Sequence, residues 1–345
     1  MSQIFPSKQE LWKLSKTTLS EHFALHPKPK FSYENEVYFD KNYGALYGEV
    51  FEFSYQKGGL KFKTLGIKQS IANTEFFDIQ SPYGYSGFYA NTSDEHFLNE
   101  ALNALKQRAS EEKIIAFFLR LHPFDENLAF YQKNLEFFAA DRKIILVRTD
   151  RALSEIRSDY SPRIKSYVKK ARGELDISVA DRECAREFHA LYAATMQRNN
   201  AGEFYFFSQN YFERLFDFAD YTLLKASYNG RTLAYASFFL GENFGYYHLS
   251  ANLNEKNANA ALLDYFFELC SERKISFALL GGGLKDEDSL FYFKQRFSTL
   301  HTDFNIGGIV FDKAAYSALC EGLNLKQFLA YRFAENGGGG EPHKS

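Results

Sequence analysis

At 345 residues the chain is long for one domain and sufficient for two. Apolar residues at 45% and charged residues at 24% give the balance of a soluble globular protein with a proper core, and a formal charge of -2 supplies no global basic field for tight nucleic-acid binding. Aromatics at 18%, with 37 Phe and 23 Tyr against one Trp, favour several strands and aromatic-walled pockets.

Residues 1–30 read as a helical lead-in followed by a His/Pro/Lys linker. Strand signals follow in FSYENEVYF, ALYGEVFEFSYQ and LKFKTLGIK, the last two joined by a Lys57-Gly58-Gly59 turn that argues for an antiparallel hairpin. TEFFDIQ leads into the loop SPYGYSG (Ser81 to Gly87). A helix is expected from Ser93 to Arg108, opened by Ser93 and Asp94, with Phe97, Leu98, Ala101, Leu102 and Leu105 as its buried stripe. The apolar run IIAFFLRL (Ile114 to Leu121) reads as a buried strand, and a helix over Glu126 to Phe137 and the strand KIILVRTD close a first domain, 31–150.

A second domain, 151–334, opens on the basic helical segment SEIRSDYSPRIKSYVKKARGE. After one strand and two helices comes the clearest hairpin signal: YTLLKASY, Asn229-Gly230, RTLAYASFFL, in which both turn positions need positive φ. The strand FGYYHLSA and a helix over Lys256 to Arg273 follow. Next, Ile275 to Ser298 combines an apolar strand, a triple-glycine turn, an acidic loop and a short helix capped by Asp288 or Ser289, with Leu290, Phe293 and Phe297 at helical spacing. The strand GGIVFD and a further helix complete the domain, and the polar, glycine-rich residues 335–345 are expected to be disordered. Hairpin strands, then strand, helix, buried strand, helix and strand, occur once in each half without sequence identity. The expected architecture is therefore α/β (α+β): two tandem domains, each a mixed, largely antiparallel sheet flanked by helices.

Cys184, Cys270 and Cys320 are sparse, widely spaced and without metal-ligand spacing, which suits a reducing compartment. The first residues lack a signal-peptide apolar region and no run approaches membrane-spanning length, so a cytoplasmic protein without a membrane span is expected. No HExxH, P-loop or GxSxG is present, so metalloenzyme, NTPase and serine-hydrolase chemistry find no support in motif.

Lys294, behind a glycine turn and beside the aromatic Phe293, is placed to stabilise charge at a pocket wall; the alternative is a solvated surface lysine. Tyr246, Tyr247 and His248 sit at a strand end, with alternation sending Tyr246 and His248 to one face and Tyr247 to the other. Such a cluster can be core or substrate-binding. Ser250 and Asn252 can bind substrate or cap the next helix, a role that also suits Asn254. Tyr83 and Tyr85 flank Gly84 in a loop where both cannot be core, so they are candidates to face substrate. Arg163, Lys165, Lys169, Lys170 and Arg172 form either a phosphate-facing helix or a solvated basic face.

Four blocks, SPYGYSG, RIKSYVKKARGELDISV (Arg163 to Val179), YYHLSAN (Tyr246 to Asn252) and GGGLKDEDSLFYFKQRF (Gly281 to Phe297), with the ending FLAYR, resemble the FemA/FemB/FemX group of peptidoglycan interpeptide-bridge aminoacyltransferases. That group is the FemAB-like branch of the GNAT acyltransferase superfamily. The resemblance spans Phe31 to Phe333 and implies two packed GNAT-like domains. It implies that Lys294, in the Phe293-Lys294 pair, stabilises the oxyanion of acyl transfer, and that Arg198 lies in the acceptor-binding region, although RNNAGEFYF departs from the group's pattern there. The long helical-hairpin insertion of FemA-type enzymes is absent, as is the usual GNAT pyrophosphate loop; Asp286, Glu287 and Asp288 after the glycines would repel a phosphate. The resemblance implies an aminoacyl-tRNA co-substrate and a nucleotide-linked peptidoglycan precursor as acceptor, with no tightly bound cofactor. Two other readings stay open: an acyl-CoA-dependent N-acyltransferase acting on an amino-sugar nucleotide for surface glycans, and a non-catalytic glycan- or peptide-binding module.

Overall fold

A computed structural model of the chain describes residues 17–25, 31–283, 288–323 and 327–335. The chain divides into two compact units that interleave along the sequence. The lysine unit comprises Met1–Lys30, Arg142–Val179 and Leu223–Asp303; the aromatic unit comprises Phe31–Asp141, Ala180–Thr222 and Phe304–Ser345. The expected boundaries at 31–150 and 151–334 are contiguous, and these are not. The reason is strand pairing. Ile145 to Arg148 joins Phe277–Gly281 as an antiparallel neighbour, and Ile306 to Val310 joins Ala116 to Arg120. Hydrogen-bonding partners in a sheet, rather than neighbours in sequence, decide which unit a strand completes.

In the lysine unit the strands Phe137–Arg148, Phe277–Gly281, Phe244–Asn252, Arg231–Leu240, Tyr221–Tyr228 and Asp176–Ala180 lie in that order. Phe244–Asn252 runs antiparallel to Arg231–Leu240 and parallel to Phe277–Gly281, so the sheet is mixed. The helices Pro162–Glu174 and Ala258–Glu272 cover it, burying Ile164, Val168 and Ala171 from the first and Ala261, Leu262, Phe266, Phe267 and Cys270 from the second. The ladder between Arg231–Leu240 and Phe244–Asn252 passes from Ser237↔Leu249 to Phe238↔Tyr247, leaving His248 as the extra residue of a bulge. The Ser237 hydroxyl accepts from the Leu249 amide at 3.1 Å and repairs the ladder there.

In the aromatic unit Glu49–Lys57 pairs antiparallel with Leu60–Ser70, which pairs with Phe77–Gln80 and Phe88–Ala90; Phe77–Gln80 then runs parallel to Ile114–Arg120. Gly58 and Gly59 turn the first hairpin with φ of 59° and 83°, as Asn229 and Gly230 do in the other unit with 51° and 76°. The helix Glu95–Glu111 is capped by Asp94, whose carboxylate accepts from the His96 and Phe97 amides. Its buried residues include the whole expected stripe, Phe97 to Leu105, and Ile114–Arg120 is buried at every position. In each unit the strand pairing is mixed and largely antiparallel with helices against it, as the sequence pattern implies.

Outside the candidate site, local expectations failed in several places. FSYENEVYF forms no strand: Val37–Phe39 is a 3-10 turn, and the Asp40 carboxylate accepts from the Asn42 amide to open the short helix Lys41–Gly44. Tyr33, Val37, Tyr38 and Phe39 are buried as packing groups instead. The helix expected over Glu126 to Phe137 is confined to Leu128–Asn134, because Phe137 already belongs to a strand. Asn254 caps no helix, since Ala258–Glu272 starts after Asn257, which has φ 55°. Glu335, the first residue of the tail expected to be disordered, ends the helix Ala330–Glu335; the rest of that tail, and most of the lead-in, lie outside the described residues.

Candidate active site

The strand Phe277–Gly281 carries the chain to Gly282 and Gly283, and the helix Ser289–Gln295 begins after Asp288. Asp288 is the cap: its carboxylate accepts from the Leu290 and Phe291 amides, each at 2.9 Å. Asp286 and Glu287 of the expected acidic loop lie outside the described residues. The inward face of this helix differs from the expected stripe. Phe291, Lys294 and Gln295 are buried, while Leu290 is 37% exposed and Phe293 is half-buried, edge-on to Phe297 at 5.5 Å. Of the expected stripe Leu290, Phe293 and Phe297, only Phe297 is fully buried, and the helix face that carries Lys294 is the one turned in.

Lys294 is therefore no solvated surface group: it is 5% exposed. Its Nζ donates to the Gly282 carbonyl at 2.6 Å and lies 5.4 Å from the centre of the Tyr247 ring. Burial in this low-dielectric setting pulls its pKa from the usual lysine range down to about 7, with the Asp288 carboxylate opposing and the Arg142 guanidinium assisting. Near neutral pH such an amine exchanges between a cation, able to stabilise a developing oxyanion, and a base, able to take a proton.

Tyr247 reaches this lysine from the strand Phe244–Asn252. Its ring stacks on Phe238 at 5.6 Å and its hydroxyl donates to Ser250 Oγ. Burial raises the Tyr247 pKa, with Ser250 and Asn259 opposing, so the phenol stays protonated at neutral pH. The expected alternation holds across the bulge. Tyr247 shares a face with Phe238, whereas Tyr246 is opposite Phe239 in the ladder and His248 packs edge-on to Phe239 at 5.0 Å. Tyr246 and His248 are buried, and burial lowers the His248 pKa to about 3, so the imidazole is neutral at pH 7. Asn252 Oδ1 accepts from the Asn254 amide at 3.0 Å, a turn contact at the strand end.

Lys294, Phe293, Tyr246, Tyr247, His248, Ser250 and Asn252 thus belong to the lysine unit; Tyr83, Tyr85 and Arg198 belong to the aromatic unit. Tyr83 and Tyr85 are half-buried on either side of Gly84, whose φ is 119° and where a Cβ would lie 2.0 Å from the Tyr38 ring. The Tyr83 carbonyl accepts from Tyr43 Oη at 2.7 Å, and the Tyr85 ring meets Phe304 at 5.4 Å and Tyr38 at 5.7 Å. Arg198 is exposed near the end of the helix Ala185–Arg198, 3.5 Å from Thr195 Oγ1.

The basic helix Pro162–Glu174 places Lys165, Lys169 and Arg172 along a cavity of ≈ 650 Å³, together with Arg157. Both arginines are engaged. Arg157 forks onto the fully buried Asp264 at 2.9 and 2.6 Å, and Arg172 pairs with Asp264 at 3.6 Å and with Glu268. Tyr160 Oη donates to the same carboxylate at 3.0 Å.

Arg142 and Asp264 are the polar groups that reading the sequence missed. Each had a signal: Arg142 is in phase with Ile144 and Leu146 of a buried strand, and Asp264 interrupts an apolar helix run. A charge at an inward position calls for a partner. Among the described residues there is no group of three or more His, Cys, Asp or Glu able to hold a metal ion, and no helix long and apolar enough to cross a membrane.

No family model and no curated protein matches the sequence. Solved structures do match the fold. FemX superimposes with a TM-score of 0.68 at 15% identity, over 87% of this chain and 97% of that one. A conserved protein of unknown function from Bacteroides thetaiotaomicron gives 0.52 at 12% identity, over 73% of this chain and 86% of that one. The C-terminal domain of a protein named as a lysylphosphatidylglycerol synthetase, from Agrobacterium fabrum, gives 0.51 at 13% identity, over 80% and 89%. The resemblance first carried by four short sequence blocks therefore stands at the level of architecture: this chain has the fold of FemX.

Proposed function

We propose that the protein is an aminoacyl- or acyltransferase that forms an amide on an amine of a cell-envelope precursor, with aminoacyl-tRNA as donor and a nucleotide-linked peptidoglycan precursor as acceptor. The observation that carries this reading is the buried Lys294, fixed by the Gly282 carbonyl at 2.6 Å and held near neutrality. The acceptor amine attacks the ester carbonyl, and negative charge builds on its oxygen. The Lys294 ammonium stabilises that charge in a water-poor setting, where such an interaction supplies roughly 3–4 kcal/mol. As the intermediate collapses, the carbon–oxygen bond to the ribose breaks, the amide forms, and the amine's proton passes to the departing ribose oxygen. A lysine with pKa near 7 is matched to relay that proton.

The FemX-like fold supports the acceptor class, since the likeness spans nearly all of the FemX chain. The near-neutral net charge of -2 favours a second reading, with an acyl-CoA donor and an amino-sugar nucleotide acceptor. Purified protein incubated with a UDP-muramoyl peptide and charged tRNA is expected to add one aminoacyl mass to the acceptor, and Lys294→Ala to lose that addition while keeping its fold. Addition from acyl-CoA onto an amino-sugar nucleotide would move the protein to the second reading. Ligand binding without turnover, unchanged in Lys294→Ala, would make it a binding module and overturn both.

A further inference from the structure

Arg142 is an arginine buried to 7% exposure in the strand Phe137–Arg148, facing the turn that precedes the lysine helix. A Cβ on Gly282 would sit 2.7 Å from the Lys143 carbonyl and 2.9 Å from Arg142 Cδ, so the arginine stem lies flat against this glycine. From there Arg142 Nη1 donates to the Gly283 carbonyl at 2.7 Å. The preceding carbonyl, Gly282 O, accepts from Lys294 Nζ at 2.6 Å. Two consecutive peptides thus face two cations, one from the neighbouring strand and one from the following helix.

We propose that Arg142 is a positioning residue for Lys294: its guanidinium clamps the Gly282–Gly283 turn and, through the Gly282 carbonyl, fixes where the lysine ammonium stands. Glycine supplies the close approach, and the rigid, planar guanidinium aims its Nη1–H at the Gly283 carbonyl in a way that the flexible point charge of lysine does not. The two cations also interact directly. Like charges in a low-dielectric region disfavour each other, so Arg142 acts in the same direction as burial on the Lys294 ammonium. Among the described residues, the groups facing that ammonium are Asp288 from its own helix, which opposes the shift, Arg142 from the neighbouring strand, the Tyr247 ring, and the Gly282 carbonyl. This inference rests on the reading of Lys294 as the group at the reacting carbonyl, yet it can be measured without turnover.

The full chain, labelled with 13C at lysine Cε, is titrated by NMR, with Lys294→Met identifying the Lys294 signal. Arg142→Met is expected to move the Lys294 midpoint upward by on the order of 1 pH unit. Arg142→Lys keeps the charge and loses the rigid guanidinium contact to Gly283, so its midpoint stays near the wild-type value. In a transfer assay Arg142→Met is expected to lower kcat and shift its pH profile by the same interval, while Arg142→Lys lowers kcat without that shift. An unmoved midpoint in Arg142→Met overturns the proposal, as does full kcat in Arg142→Lys. Should Arg142→Met fail to fold, the Arg142→Lys arm decides. Absence of transfer with every donor would overturn the proposed function and leave the NMR comparison to judge Arg142.

Discussion

Lys294 stands 5.4 Å from the centre of the Tyr247 ring, and the two arrive from different elements: a seven-residue helix and a bulged strand. The contact joins a cation to an aromatic face in a setting closed to bulk water, where such pairs contribute about 2 kcal/mol. It also explains why the lysine remains dry, since the ring occupies space that water would otherwise take.

Tyr247→Ala is therefore expected to admit water beside Lys294, raise its pKa toward the ordinary lysine range and lower turnover on the order of tenfold or more. Tyr247→Phe keeps the ring, loses only the hydroxyl contact to Ser250 and is expected to retain most activity. Steady-state kinetics on the pair checks this; equal loss in both variants would assign the role to the hydroxyl.

Burying an amine also makes stability depend on pH. Between about 7 and 10.5 the unfolded chain holds the Lys294 proton and the folded chain does not, so stability rises with pH across that window by up to roughly 1.4 kcal/mol per unit. Below the lower value both states carry the proton, and the folded state bears the full penalty of an enclosed charge. Lys294→Met removes this term. The variant is expected to exceed wild type in stability at pH 6, with the difference shrinking by pH 9. Urea unfolding at the two values measures it; a gap that is constant or widens with pH contradicts the burial of this amine.

At Gly282 a side chain has nowhere to go, because its first carbon would meet a backbone carbonyl at 2.7 Å. Gly282→Ala is expected to destabilise by about 1–3 kcal/mol through overpacking and to displace the carbonyl that holds Lys294. Thermal unfolding and kcat should both fall. Wild-type kcat in a destabilised protein would separate the turn from the chemistry.

Asp264 is a fully buried carboxylate whose closest partner is the fork of Arg157. Removing that fork in Arg157→Ala leaves the carboxylate with Tyr160 and a longer contact to Arg172 and is expected to destabilise by about 3–5 kcal/mol. A double-mutant cycle with Asp264→Asn tests the coupling, and additive effects would show that the two groups act independently.

Much of the fold was legible where local chemistry and packing agree. The Gly58-Gly59 and Asn229-Gly230 turns, the Asp94-capped helix with its Phe97 to Leu105 stripe, and the buried Ile114–Arg120 strand all follow from short-range rules. FSYENEVYF misled because its aromatic residues serve as packing groups around a short capped helix, and strand propensity reports packing surface more than backbone choice. At the site, the glycine turn, the Asp288 cap and Lys294 were visible, but which helix face turned inward was not: Leu290 and Phe291 are equally apolar, and only the surrounding strands choose between them. Arg142 escaped notice because its significance lies in a turn about 140 residues away, a separation printed in no local pattern.

The interleaving of the two units has a consequence for how the chain is made. Thr149 Oγ1 donates to the Ile275 carbonyl, partners 126 residues apart, beside the ladder that seats Ile145 to Arg148 against Phe277–Gly281. During synthesis the Ile145 to Arg148 segment emerges long before its neighbour exists, so for much of translation it presents an apolar strand edge with nothing to pair. Closing so long a loop is slow, and open edges invite association with other chains. A ribosome-bound fragment ending near residue 260 should stay protease-sensitive across Arg142–Val179 and engage chaperones, becoming protected only once the Phe277–Gly281 strand has left the exit tunnel.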